Sequence, residues 1–471
     1  MQISKVSLGL LLMLVLTGCK FGPKYTRPVV DAPGGFRGQA PELKASEADK
    51  TGPPPVSLGD EKWWTVFQDE QLKALIRTAI ANNYDVQIAA ERVVAARAQL
   101  GITHADQLPS LGASGTWTSV RQEETSMSPV YRAESGQLAL NASWELDFWG
   151  KYRKATEAAR AGLAATEWGR RAVISTLVSN VASAYFQLRT LDLELEITQD
   201  TLKSRQESLR LTKLLSDGGS VPLMDVRQAE ELVYTASTQI PDLEKGIEQQ
   251  ENYISILLGQ NPGPTARGRK LTEQPLLPSV PAGLPSQLIE RRPDIRQAEE
   301  QLIAANARIG VAKAAYFPSI SLTGVAGYQS TALTSLFSGP AGLWNTGVSA
   351  AQPIFEGGRI RSNVHLTESQ QRQALLVYRQ TTQGAFRDVS DALIAYRKSR
   401  EAREQQQLLT DAAQGASKLS HVRYDAGATS YLEVLTNETN YYNAELNLST
   451  ARYGEVLALV QIYNALGGGW Q

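Results

Sequence analysis

The sequence has little of the chemistry that catalytic and metal-binding sites require. It contains one cysteine and three histidines in 471 residues, which excludes a disulfide framework and leaves no cluster of metal ligands. Basic residues (47) and acidic residues (48) nearly balance, so no nucleic-acid partner is predicted. A nucleophile elbow, a phosphate loop and a zinc signature are also missing. We therefore expect no enzyme activity, no metal and no cofactor other than a covalent lipid.

The N-terminus explains the single cysteine. A basic residue precedes an apolar run over residues 6–16, which is too short to span a membrane and is typical of a signal peptide. The run leads to Leu-Thr-Gly-Cys, which resembles a bacterial lipobox and implies cleavage between Gly18 and Cys19 and acylation of Cys19. Lys20 is not the aspartate that retains lipoproteins in the inner membrane, so we expect anchoring in outer-membrane lipid. The alternative is a cysteine that follows a signal peptide by chance.

The chain contains an internal repeat. Residues 85–115 match residues 294–324 without a gap, and identities such as Pro109/Pro318 recur along the two halves. We predict two copies of one unit joined by a crossover rich in proline and glycine. The predicted divisions are a signal peptide (1–18), an irregular lipid-anchored segment (19–60), the first repeat (61–260), the crossover (261–285), the second repeat (286–466) and a C-terminal tail (467–471).

Each copy is predicted to contain a helix, two strands and a long helical hairpin. Apolar and polar residues alternate strictly in the strand segments, as in Leu138, Asn141 and Trp144, so each strand has one apolar face. About ten residues per strand suits a tilted membrane strand, although an ordinary half-buried sheet has the same pattern. The strands are predicted at about 108–120, 135–148, 318–329 and 342–355.

The helical hairpins are long. The segments from about 150 to 216 and from about 358 to 424 contain no proline, and at 1.5 Å per residue each predicts about 100 Å of helix. Each segment ends at a turn in which glycine permits a positive φ. The tips are predicted near 217–222 and 425–430, and Pro241 is expected to kink or break the first return helix. The turn residues are Asp217, Gly218, Gly219 and Gly427.

Four amphipathic strands cannot close a membrane barrel, because open edges are not tolerated in lipid and the smallest barrels have about eight strands. Three chains would supply twelve strands. We therefore predict a mainly α fold with membrane β structure, in which a trimeric 12-stranded β-barrel continues into a long periplasmic α-helical barrel. Glu145 and Asp147, on the polar strand face, are predicted to point into the lumen.

Several segments resemble the TolC family of outer-membrane efflux proteins, in its OprM-like and NodT-like lipoprotein branch. They are residues 18–28, 145–151 (Glu-Leu-Asp-Phe-Trp-Gly-Lys), 290–295 and 423–427. The resemblance implies a homotrimer with a mixed equatorial region, located in the outer membrane of a Gram-negative bacterium and extending into the periplasm. It also implies a passive exit duct for drugs or other small molecules, which works with a periplasmic adaptor (membrane fusion) protein and an RND-type inner-membrane pump.

The same resemblance implies a gate at the periplasmic tip, closed by contacts between the hairpins. Tyr424 matches the gate tyrosine, and Asp225 and Glu433 fall on acidic gate positions. Thr429 and Thr439 replace an arginine found in some relatives, and Thr436 replaces a common aspartate, so the usual arginine network is not expected. Two other arginines, Arg227 and Arg423, are candidate substitutes. In a second alternative the ring of acidic residues at the tip binds cations. In a third, Asp217, Asp225 and Asp425 only cap helices or face solvent.

Two other functions have sequence support. A type I protein-secretion duct shares the predicted fold, and a periplasm-spanning structural lipoprotein without a pore would need only the long helices. The alternating strands argue against the second, because a scaffold needs no amphipathic barrel wall. The motif at Glu290–Asp294 is interpreted as a helix start at Pro293 and Asp294, with a direct functional role as the alternative.

Overall fold

The structure is a computed structural model that describes residues 22–38, 57–122, 131–274, 280–283 and 285–470. The predicted signal peptide, Gly18 and Cys19 lie outside the described residues. The chain divides into two compact units. The sheet unit comprises the described residues up to Val29, Arg92–Glu167 and Gln297–Tyr378, and the hairpin unit comprises Val30–Glu91, Trp168–Arg296 and residues 379–470.

The fold is mainly helical, with one sheet. The helices are α1 (Trp63–Val66), α2 (Glu70–Asn82), α3 (Tyr84–Ala105), α4 (Lys151–Asp217), α5 (Leu223–Leu257), α6 (Pro285–Arg291), α7 (Pro293–Ala314), α8 (Arg359–Asp425) and α9 (Tyr431–Ala465). The strands are β1 (Ser110–Gln122), β2 (Tyr131–Leu146), β3 (Ser319–Ser330) and β4 (Gly342–Ala351). Short 3-10 turns occur at Leu58–Asp60, Leu271–Glu273, Leu333–Ser335 and Gly339–Ala341.

The four strands form one antiparallel sheet in the order β1-β2-β3-β4, so β1 and β4 are its edges. Two strands end earlier than the sequence suggested. β2 ends at Leu146 because Asp147 caps the following helix, and β4 ends before Pro353, which has no N–H to donate to a ladder. The strand pairing joins the two sequence halves, since Leu140 of β2 lies opposite Ala326 of β3.

The two faces of the sheet differ in polarity. On one face, Leu111, Trp344 and Val348 are 82%, 79% and 75% exposed. On the other face, polar side chains bond across strands, as where the Asn141 amide donates to the Ser114 hydroxyl at 2.8 Å. The sheet therefore presents a broad exposed apolar face, whereas most such faces in a folded protein are covered.

Corresponding helices in the two halves have equal lengths. α4 and α8 each have 67 residues, α5 and α9 each have 35, and α3 and α7 each have 22. α7 begins at Pro293 with Asp294 in its first turn, which confirms the predicted helix start. Of the helices in the described ranges, none combines the length and hydropathy needed to span a bilayer.

Pro241 was expected to kink or break this helix, and the break was wrong, because α5 continues through it from Leu223 to Leu257. A kink at Pro241 stays a prediction. Proline removes one backbone N–H and leaves the carbonyl four residues earlier without its helical partner. Pro241 lies on the exposed side of the helix, while Ala236 and Ile247 are buried on either side of it. Packing of the buried side of α5 therefore stabilises the helix despite the missing backbone hydrogen bond.

All four hairpin helices end in the same way, at a glycine with positive φ. At the tip of the first hairpin, Gly219 has φ +74°, its N–H donates to the Ser216 carbonyl, and the Ser220 N–H donates to the Leu215 carbonyl at 2.8 Å. This is a Schellman motif, which satisfies carbonyls that the helix end leaves free. The equivalent pair of bonds is donated at the other three helix ends by the positive-φ glycine and the residue that follows it, where the glycine is Gly427, Gly259 or Gly467.

Asp69 is a buried carboxylate in the core of the hairpin unit. Asp69 accepts hydrogen bonds from the Tyr185 hydroxyl and the Arg269 backbone N–H, both at 2.9 Å, and from the Gln71 backbone N–H at 2.9 Å. Burial raises the pKa of Asp69, but the hydrogen bonds outweigh it and lower the pKa overall. Asp69 therefore caps α2 and ties it to α4 and to the crossover.

Candidate functional site at the hairpin tips

The tips of both hairpins line one cleft of about 790 Å³. The first hairpin contributes Asp225 and Met224 from the start of α5, and the second contributes side chains from the turn between α8 and α9. The structure thus brings together the predicted site residues Asp225, Tyr424, Asp425, Gly427 and Thr429.

The main contact between the two tips is apolar. The ring of Tyr424 lies 5.3 Å from the ring of Tyr431, with 57° between their planes. Tyr431 and Val434 of α9 are buried against Ala229 of α5, with Leu209 of α4 and Leu435 packed beside them. Helices from both hairpins therefore meet in one small core, which we call the tip core (Leu209, Ala229, Tyr424, Tyr431, Val434 and Leu435).

Tyr424 combines this packing with an acidic environment. Its hydroxyl is buried and has no hydrogen-bond partner among the described residues. Burial raises the pKa of Tyr424, and the charges of Asp225 and Asp425 raise it further. Tyr424 is therefore neutral at physiological pH, and it contacts the first hairpin through packing and not through a hydrogen bond to Asp225.

An arginine does pair at the tip, although Thr429 occupies the usual arginine position. The guanidinium of Arg423 lies 2.7 Å from the carboxylate of Glu433, which also accepts a hydrogen bond from the Thr429 hydroxyl. All three residues belong to the second hairpin, so this pair joins α8 to α9 and not one hairpin to the other. Arg227, the other candidate, pairs with Glu230 at 2.7 Å within α5.

The remaining predicted tip residues are more peripheral. Thr436 is exposed, and its hydroxyl donates to the Leu432 carbonyl of its own helix at 2.9 Å. Asp217 and Gly218 are exposed at the end of α4, where the Gly218 N–H donates to the Leu214 carbonyl. These three residues shape the hairpin ends but do not line the cleft.

Glu145 and Asp147 are bound to the start of α4. The carboxylate of Glu145 accepts from the Tyr152 hydroxyl at 2.8 Å and lies 3.1 Å from the Lys151 ammonium. Asp147 accepts from the Arg153 backbone N–H at 2.8 Å and pairs with the same residue's guanidinium at 3.2 Å. Both carboxylates thus stabilise the strand-to-helix junction, and their position in a lumen stays a prediction.

A buried polar cluster lies farther along the hairpins and was not predicted from the sequence. The imidazole Nε2 of His421 lies 2.7 Å from the Glu438 carboxylate, and this hydrogen bond raises the pKa of His421 despite its partial burial. Arg205 is buried in the same region. Within the described residues, no group of three or more His, Cys, Asp or Glu side chains is placed to hold a metal ion.

Comparison with known proteins supports the interpretation of the fold. The family model described as outer membrane efflux protein matches residues 75–260 and 284–468. The chain is 35% identical over 461 residues to the cation efflux system protein CusC of Escherichia coli O6:H1, covering 97% of both chains. It is also 35% identical over 461 residues to a probable efflux pump outer membrane protein, TtgC, of Pseudomonas putida, covering 97% of this chain and 94% of that one.

A solved structure agrees with these relatives. The open state of the Neisseria gonorrhoeae MtrE outer membrane channel superposes with a TM-score of 0.86 at 31% identity, covering 96% of this chain and 99% of that chain. The family match covers most of both halves of the chain, including the sheet and both hairpins, and the relatives extend over nearly its whole length. The chain therefore belongs to the outer membrane efflux protein family.

Proposed function

We propose that this protein is the passive outer-membrane exit duct of a tripartite efflux system, assembled as a homotrimer and not acting as an enzyme. The observation that carries the proposal is the four-stranded sheet, which has an exposed apolar face and two edges. Exposed edges and such an apolar face are unfavourable in water, and edges are not tolerated in lipid. Three copies of the sheet joined edge to edge form a closed 12-stranded barrel that satisfies both conditions.

The helices provide the periplasmic part of the proposed duct. Each protomer would contribute α4, α5, α8 and α9 to a helical barrel continuous with the strands. The equal helix lengths in the two halves and the two matched segments support an internal duplication. A duplicated protomer in a trimer would give the tube pseudo-six-fold symmetry.

The proposed anchor is a lipid on Cys19, which would hold the chain in the outer membrane beside the barrel. The described residues begin at Gly22, three residues after Cys19, and the first of them make contacts within the sheet unit. The guanidinium of Arg27 lies 2.9 Å from the buried carboxylate of Glu299, and the Asn306 amide donates to the Pro23 carbonyl at 3.0 Å. These contacts support an anchor held at a defined place on the protomer.

The proposed duct does not select its cargo. Two relatives of equal identity are named for different systems, one as a cation efflux system protein and the other, TtgC, as a probable efflux pump outer membrane protein. The TtgC of another Pseudomonas putida strain is named as part of a toluene efflux pump. Selection among drugs, solvents and ions would then belong to an RND-type inner-membrane pump, with a periplasmic adaptor joining the pump to the tips. Adaptor binding would move the return helices outward and separate the tip core.

The test uses the full-length protein purified from outer membranes. We expect a trimer that resists dissociation on unheated gels, and ion conductance when that trimer is inserted into planar bilayers. A folded monomer without conductance would contradict the proposal and fit a structural lipoprotein. Export of a co-expressed protein substrate, with no effect of deletion on small-molecule tolerance, would instead indicate a protein-secretion duct.

A further inference from the structure

Arg205 lies in the hairpin unit, about three helical turns before α4 ends at Asp217. Its side chain is buried, which is unusual for a residue that carries a permanent charge. A cation at such a position needs compensating partners, because removing it from water is costly. The groups around the guanidinium of Arg205 therefore indicate how its charge is compensated.

The guanidinium contacts both hairpins. Within the first hairpin, Nη1 donates to the Leu232 carbonyl of α5 at 3.0 Å. Toward the second hairpin, the guanidinium carbon lies 5.1 Å from the centre of the Tyr442 ring of α9, in cation–π geometry. The Tyr442 hydroxyl is 3.0 Å from the Thr198 hydroxyl of α4, so the ring is held from both ends by the same helix.

A buried carboxylate of the second hairpin lines the same cleft as this cation. Glu438 is only 9% exposed, and one of its oxygens bonds to His421. Burial lowers the pKa of Arg205, and the charge of Glu438 is the largest influence opposing that effect. Among the described residues, the second Glu438 oxygen and the Nε of Arg205 have no hydrogen-bond partner. An attractive pair of opposite charges thus lies across the boundary between the hairpins.

We propose that Arg205 is a positioning residue that clamps the first hairpin to Glu438 and Tyr442 of the second, so that the duct is held closed at a second level beyond the tip core. This inference rests on the proposed duct function. Moving the hairpins apart would leave a cation and a carboxylate buried without each other, or would require both to be hydrated during opening. Either way the closed arrangement is favoured while both charges are present.

Charge and structure can be separated by the choice of substitution. Arg205→Met removes the charge but keeps the length and most of the volume, and apolar replacement of a buried ion often leaves folding stability unchanged or improved. Arg205→Lys keeps the charge. Glu438→Gln removes the opposite charge with almost no change of shape. The matched control is Arg210→Met on the same helix, since Arg210 is exposed and pairs with Glu207 of its own helix.

The experiment measures basal conductance of full-length trimers in planar bilayers. We expect Arg205→Met and Glu438→Gln each to raise the open population by roughly tenfold, as expected when a two-state equilibrium loses a buried charge contact. Arg205→Lys should remain close to the wild type, and Arg210→Met should match it. If Arg205→Met fails to form trimers, the conductance of Glu438→Gln decides the question by itself.

Wild-type conductance in both neutralised variants would overturn the clamp. So would an Arg205→Lys channel as open as Arg205→Met, because charge would then not be the cause. A Tyr424→Ala variant is run alongside to keep the two proposals distinct. If that variant opens and the Arg205 and Glu438 variants do not, only the clamp fails, whereas absence of conductance in every protein overturns the duct function itself.

Discussion

The guanidinium of Arg423 lies 2.7 Å from the carboxylate of Glu433, across the turn that joins α8 to α9. Both side chains are substantially exposed, and exposed ion pairs contribute only about 0–1 kcal/mol to stability. The pair orders the second tip but cannot by itself hold two hairpins together. The contact that joins the hairpins at the tip is the packing of Tyr424, Tyr431 and Val434 against Ala229.

Removing the Tyr424 ring should open the proposed duct. Tyr424→Ala leaves a cavity in the tip core, and we expect the largest increase in basal conductance in planar bilayers from this variant. Asp225→Ala and Glu433→Ala should give smaller increases, since Asp225 lines the cleft and Glu433 orders the second tip. Single-channel recording of purified trimers measures all three.

Tyr234→Ala is the matched control, because Tyr234 lies on α5 and is 63% exposed. It should conduct like the wild type. If Tyr424→Ala, Asp225→Ala and Glu433→Ala all conduct like the wild type as well, the tip is not the gate.

The exposed apolar sheet face should tolerate no charge if it contacts lipid. Val348→Arg places a charge on that face of β4, where a midplane arginine in a membrane barrel costs about 2–4 kcal/mol. Asn345→Arg places the same charge on the opposite face of the same strand. We expect Val348→Arg to reduce the amount of heat-resistant trimer in outer membranes, and Asn345→Arg to leave it near the wild-type level. Equal amounts for both variants would contradict the assignment of the lipid face.

Much of the fold was predictable because it depends on local patterns. Each of these patterns determines the backbone conformation over a few residues. They are the lack of proline in α4 and α8, the alternation of apolar and polar residues in the strands, and the glycine turns at Gly219 and Gly427. Pro241 shows the limit of such patterns. A local rule predicted a kink or a break, but α5 does not break, because the proline is exposed and the opposite side of the helix is packed.

The site was less predictable because its contacts join distant segments. The acidic cleft residues and Tyr424 were anticipated, yet Tyr431 and Leu209 were not, although both carry the tip packing. Spacing along a helix shows which side is apolar, but not which residue of another helix lies against it. For the same reason nothing in the sequence paired Arg205 with Glu438, since neither has a distinctive local motif.

Asp69 should be the most sensitive charged position in the hairpin unit. Asp69→Ala removes the cap of α2 and leaves the buried Tyr185 hydroxyl without its acceptor. Loss of the acceptor for this hydroxyl should lower the free energy of unfolding by roughly 1–3 kcal/mol, and loss of the cap by about 1 kcal/mol. We therefore expect a clearly lower melting temperature. Asp242→Ala, which removes an exposed pair with Lys245, should shift it little.

The Asp69 effect should also depend on pH. The hydrogen bonds lower the pKa of Asp69 in the folded protein, so its contribution is complete above the pKa of the unfolded chain and is lost as pH falls through the folded value. The difference in melting temperature between the wild type and Asp69→Ala should therefore shrink in acid. A difference that stays constant through the acid range would show that the carboxylate charge is not involved.

His421 should give the opposite pH dependence. Its hydrogen bond to Glu438 raises its pKa above the ordinary value of 6.5, so the folded protein binds the proton more tightly than the unfolded chain. The resulting stability is complete below that ordinary value and is lost as pH rises through the folded value. His421→Gln keeps a donor for Glu438 but cannot gain a charge. We expect the melting temperatures of wild type and variant to differ most below pH 6.5 and to converge as the pH rises into the alkaline range.

The measurement is loss of helical circular dichroism on heating trimers in detergent across this range. His365→Gln is the control, because His365 is exposed and its imidazole lies 3.8 Å from the Glu368 carboxylate, compared with 2.7 Å between His421 and Glu438. It should follow the wild type at every pH. A His421→Gln curve parallel to the wild type would mean that the imidazole does not gain its charge against Glu438. The opposite slope, with the difference growing in alkali, would mean that burial outweighs the hydrogen bond.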